Sequence, residues 1–81
     1  MKEVILITTQ TCPFCPLAKK FWEELKKEID FKLEVIDAFS PEGQELVKKF
    51  DIRAVPTTII DGEVKFVGIP KKEEALEALK E

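Results

Sequence analysis

The chain is 81 residues long, 44% apolar and 36% charged, with a formal net charge of −3 at pH 7. That length suits one hydrophobic core, so residues 1–81 are expected to form a single domain. The acidic balance leaves no basic excess to neutralise phosphates, which argues against nucleic acid, and no apolar run reaches the roughly 18 residues of a membrane span.

Val4, Ile5, Leu6 and Ile7 form an unbroken β-prone run, the pattern of a buried strand over 4–8. The run is too short for a secretion signal and has no cleavage site, so the chain is expected to be cytoplasmic. A polar turn, Thr9 to Thr11, leads to a helix expected over 13–28. Its apolar positions, Phe14, Leu17, Ala18, Phe21, Trp22, Leu25 and Ile29, recur at helical spacing. Pro13 suits the first helical position, and Pro16 is tolerable in the first turn. Trp22 sits within the apolar arc and reads as core. Alternation over 31–37 indicates a second strand, and strand, helix and strand in that order imply parallel pairing. Ser40-Pro41 marks a helix start for 41–50, with Ser40 as N-cap and Gly43 weakening the first turn. Asp61-Gly62 between the β-prone runs 57–60 and 63–67 is a hairpin signal. A last helix is expected over 71–80. The order β-α-β-α-β-β-α predicts an α/β fold with a four-stranded mixed sheet and helices on both faces; the strand order stays open.

The chemistry concentrates in Cys12-Pro13-Phe14-Cys15, the only two cysteines of the chain, at a strand-to-helix junction. Such a pair can close into a disulfide and reopen. The loop is too short for a strong structural staple, because stabilisation grows with loop length. A cysteine pair at this spacing beside a βαβ pattern reads as a redox motif. The chain has no His, which excludes Cys-His hydrolase chemistry and a Cys₂His₂ zinc site. It also has no Asn, and abundant Lys and Glu, a bias that resembles heat-adapted proteins.

Cys12-Pro13-Phe14-Cys15 is similar to the glutaredoxin motif Cys-Pro-Tyr-Cys, and Leu17-Ala18-Lys19 fits the helix that follows it. Phe50-Asp51-Ile52-Arg53-Ala54-Val55-Pro56-Thr57 resembles the thioredoxin segment Tyr-Gly-Ile-Arg-Gly-Ile-Pro-Thr. Asp61-Gly62-Glu63-Val64 and Val67-Gly68 resemble the hairpin beyond it. Over nearly its whole length the chain thus resembles the thioredoxin/glutaredoxin superfamily, and most of all the small glutaredoxin-like thioredoxins of archaea and thermophiles. Thr11 stands where thioredoxins carry Trp, and Leu6 where they carry a buried Asp. Gly68-Ile69-Pro70-Lys71-Lys72 stands where glutaredoxins carry Gly-Gly and an acidic pair.

The resemblance implies a thioredoxin fold and a thiol–disulfide oxidoreductase that reduces protein disulfides. No cofactor is implied beyond the redox-active Cys12–Cys15 disulfide, and no metal. Cys12 is the expected nucleophile, because a helix N-terminus lowers a thiol pKa, and Cys15 the resolving thiol. Pro13 and Phe14 would tune the pair, or Phe14 would simply be apolar surface. Lys19 is either a tuning cation or part of a solvated helix face. A cis Val55-Pro56 bond, with Thr57 and Gly68, would form the substrate-binding groove; a trans proline at a strand start and a turn glycine are the plain alternatives. The electron donor would be a thioredoxin-reductase-type flavoprotein or glutathione, and the protein a monomer. A glutathione-dependent glutaredoxin is the nearest alternative, and an iron–sulfur carrier a more distant one.

Overall fold

The computed structural model describes residues 2–80; the two terminal residues of the expected domain 1–81 lie outside the described residues. Seven elements follow in order: β1 (Lys2–Thr8), α1 (Cys15–Lys26), β2 (Phe31–Asp37), α2 (Pro41–Phe50), β3 (Thr57–Ile60), β4 (Glu63–Val67) and α3 (Lys72–Lys80). The strands form one mixed sheet in the order β2-β1-β3-β4. β1 pairs parallel with β2 and antiparallel with β3, and β3 pairs antiparallel with β4 through a bulge between Thr58 and Ile59. This is the thioredoxin architecture.

The unbroken apolar run of β1 is explained by cover on both faces. Val4, Leu6 and Ile60 pack with Ala18, Trp22 and Leu25 of α1 and Ala75, Ala78 and Leu79 of α3. Ile7, Ile36 and Ile59 face the other way, against Leu46, Val47 and Phe50 of α2. Trp22 is wholly buried. Its ring meets Phe31 edge-on at 5.8 Å between centroids, and its Nε1 donates to Thr58 Oγ1 at 3.2 Å.

Helix α1 begins at Cys15 rather than at Pro13, with Phe14 as N-cap. In a helix starting at Pro13, Pro16 would have to supply the first intrahelical N–H, which it lacks. Starting at Cys15 puts Pro16 in the second helical position, where no donor is needed. Beyond Lys26 the chain winds on through turns: the Glu28 and Ile29 amides both donate to Leu25 O, at 3.0 and 3.1 Å. Helical spacing therefore extends past the helix proper. At α2, Ser40 Oγ accepts the Gly43 amide at 3.0 Å. Gly43 is buried so close to the main chain of Asp37 and Ala38 that a Cβ there would collide with it. The β3–β4 turn has positive φ at both Asp61 (49°) and Gly62 (81°), the backbone that suits a twisted two-residue hairpin.

Candidate active site

The register fixes where the site lies. Ile7 pairs with Thr57, Thr57 with Val67, and Thr8 with Asp37. The ends of all four strands thus meet at one edge of the sheet. From that edge emerge the cysteine segment, the Val55-Pro56 segment, the Gly68 turn and the β2–α2 connection.

Cys12 and Cys15 are joined in a disulfide with Cα atoms 5.4 Å apart. Cys12 lies three residues before α1, in a turn in which its amide donates to Thr9 O at 3.4 Å, and it is half-buried. Cys15 is the first residue of α1 and only 4% exposed. The amides of Cys15 and Leu17 sit in the first helical turn, which has no intrahelical acceptor and contains no acidic residue. The positive end of the helix dipole there favours an anion. Cys12 and Cys15 both line a groove of about 370 Å³, together with Thr8, Thr9, Gln10, Pro16, Lys19, Val35 and Asp37. Lys19 is exposed on α1 and is the cation of that groove.

The Val55-Pro56 bond is cis. Pro56 is buried, and its carbonyl accepts the Gly68 amide at 2.7 Å. That bond holds the Gly68 turn, at φ 90°, against the proline segment. Thr57 is buried and its hydroxyl donates to Ala54 O. These residues share the site's edge of the sheet but do not line the groove that holds the sulfurs. The residues flanking Gly68 are exposed and apolar, Val67 at 66% and Ile69 at 43%, as is Phe14 of the cysteine motif at 57%. Leu6 is fully buried among apolar side chains and supplies no polar group.

The sequence reading did not single out Val35 or Asp37, which β2 delivers to the groove. The available signal was position: the carboxyl end of a strand parallel to the one that leads into the motif is where such sheets place ligands.

The thioredoxin-domain family profile matches residues 2–80. The chain belongs to the thioredoxin family. It is 38% identical over 78 residues to a thioredoxin of Methanocaldococcus jannaschii, spanning 96% of this chain and 92% of that one. It is 38% identical over 74 residues to a probable thioredoxin of Methanothermobacter thermautotrophicus, spanning 91% and 87%. Among solved structures, the short form of thioredoxin f from spinach chloroplast superposes with a TM-score of 0.76 at 30% identity, over 98% of this chain and 73% of that one. With the paired cysteines at the sheet edge, family membership makes the chain a thiol–disulfide oxidoreductase. As in other thioredoxins, its redox group is the cysteine disulfide itself and not a bound cofactor.

Proposed function

We propose that the protein reduces disulfides of protein substrates in the cytoplasm as a monomer, with Cys12 as attacking thiol and Cys15 as resolving thiol. The observation that carries the assignment is the difference in access: Cys12 is half-buried and Cys15 is 4% exposed. In the reduced protein, the Cys12 thiolate attacks one sulfur of the substrate disulfide, and the other sulfur leaves as a thiolate that takes up a proton. Cys15 then attacks Cys12 Sγ, and the second substrate thiol is released. The substrate gains two electrons and two protons, and the Cys12–Cys15 disulfide forms. The backbone of Val55 would pair with an extended substrate segment, Pro56, Thr57 and Gly68 would shape the groove beside it, and exposed Phe14 and Val67 would give an apolar rim. Pro13 and Phe14 set the surroundings of the pair. The test is to replace each cysteine with Ser. Cys15→Ser is expected to accumulate mixed disulfides with protein substrates, and Cys12→Ser almost none; the reverse pattern would exchange the two roles.

The electron donor in this reading is a thioredoxin-reductase-type flavoprotein rather than glutathione. Glutathione offers an amino group that an acidic pair would meet, and Lys71 and Lys72 occupy those positions. Lys72 is further engaged: its Nζ lies 3.0 Å from Glu28 Oε2 and donates to Oε1 at 3.1 Å. Steady-state turnover with each donor separates the two. Fast turnover with glutathione and glutathione reductase, and none with any thioredoxin-reductase-type enzyme, would make the chain a functional glutaredoxin.

A further inference from the structure

We infer that Asp37 is the proton acceptor for the resolving thiol, an assignment that rests on Cys15 being that thiol. A thiol buried as deeply as Cys15 must lose its proton before it attacks, because the thiolate is the nucleophile. The chain has no His to take it. Of the side chains that share the groove with Cys15, Thr8, Thr9 and Gln10 are not bases and Lys19 is a cation. Asp37 is the one carboxylate among the described residues lining it.

Its placement follows from the fold. Thr8 and Asp37 are register partners in the parallel β1–β2 pair, and the Ala38 amide donates to Thr8 O at 2.7 Å. The end of β2 is thereby held beside the strand that runs into the cysteine segment. The carboxylate is oriented as well: Oδ1 accepts the Phe39 amide at 2.8 Å. The Asp37 carbonyl accepts the Ser40 amide at 3.0 Å and the Ser40 hydroxyl at 2.7 Å. No described residue donates to Oδ2. Lys19 on α1 shares its groove, and the carboxylates on the surrounding elements are Glu42 in the first turn of α2 and Glu34 on β2 itself. Its register partner on β1, Thr8, is neutral.

The Cys15 Sγ–H proton passes through a groove water to the Asp37 carboxylate. The Cys15 thiolate bonds to Cys12 Sγ, and the Cys12–substrate bond breaks. Its electron pair leaves on the substrate sulfur, which takes a proton from solvent, and Asp37 returns its own proton to solvent. The cysteine pair loses the two electrons that the substrate gains.

The test is single-turnover reaction of the reduced protein with dithiobis(nitrobenzoate), whose thiolate product is coloured and leaves without needing a proton. Attack by Cys12 releases one equivalent and resolution by Cys15 a second, so the two steps are read separately. Asp37→Asn keeps the shape and an oxygen that accepts the Phe39 amide. It is expected to lower the ratio of second-phase to first-phase rate at least about tenfold, below the hundredfold or more of a direct general base. Its second phase should also become steeply pH-dependent, rising about tenfold per pH unit while the Cys15 thiol is mostly protonated, as the thiolate fraction grows. If Asp37 acted only through its charge, its loss would favour thiolate formation and quicken the second phase. An unchanged or faster second phase therefore overturns the inference and leaves the cysteine roles standing. A second release that persists in Cys15→Ser overturns both.

Discussion

At the scale of single residues, side chains that look alike in the sequence do different work. Asp61 opens the hairpin turn, and it also ties the strand edges together: its Oδ1 accepts the Glu3 amide at 2.9 Å, and Lys2 lies 3.4 Å from Oδ2. The Glu3 amide hydrogen bond, with a smaller contribution from Lys2, lowers the Asp61 pKa below its usual 3.8. A carboxylate with a depressed folded pKa stabilises the fold above its unfolded pKa, and that stabilisation is lost as pH falls through the folded value. Asp61→Asn, which still tolerates the positive φ and still accepts the amide, should lower the denaturation midpoint at neutral pH. The difference from wild type should close below about pH 3.8 in parallel melts. Trp22 poses a packing question instead. Trp22→Phe removes the donor to Thr58 Oγ1 and opens space among Phe31, Phe66 and Leu25, and should cost about 2–3 kcal/mol in denaturant unfolding.

At the scale of elements, Gly43 is the clearest case in which local propensity and tertiary structure disagree. Gly→Ala inside a helix normally gains about 1 kcal/mol. At Gly43 the added Cβ would fall 2.8 Å from the Asp37 carbonyl carbon and 2.9 Å from Ala38 Cα, closer than real contacts allow. Gly43→Ala is therefore expected to destabilise by about 1–3 kcal/mol, the usual cost of overpacking. A gain in stability would mean that α2 is free to move away from β2. In the sequence Gly43 reads only as a weak point in a helix, because the chain segment that crowds it becomes visible only after folding. Helix α1 shows the same limit. Apolar spacing finds the helix, but its first residue is decided by Pro16's missing N–H, and the turns after Lys26 mimic further helix. Ser40-Pro41 and Asp61-Gly62 were legible to the residue, because a cap and a tight turn are determined by their own side chains. Ser40→Ala should cost about 1 kcal/mol through the loss of its bond to the Gly43 amide.

At the scale of the whole molecule, the site is assembled by the order β2-β1-β3-β4, which no local pattern encodes. β1 is apolar on both faces and takes the centre; β2 flanks it in parallel, and the β3–β4 hairpin joins the other side. The cysteine motif and the proline segment were legible as separate segments, since each carries its chemistry in adjacent residues. The groove was not, because Val35 and Asp37 join the cysteines in lining it only through the parallel register of β1 and β2. The same assembly gives the two thiols unequal access. The measurement that bears on this most directly is pulsed iodoacetamide alkylation of the freshly reduced protein across pH, with each cysteine located by peptide mass. Cys12 is expected to be modified first, with a midpoint below the free-thiol value of about 8.5, while Cys15 stays protected until the fold opens. Modification of Cys15 first, or a Cys12 midpoint at or above that of a free thiol, would contradict it.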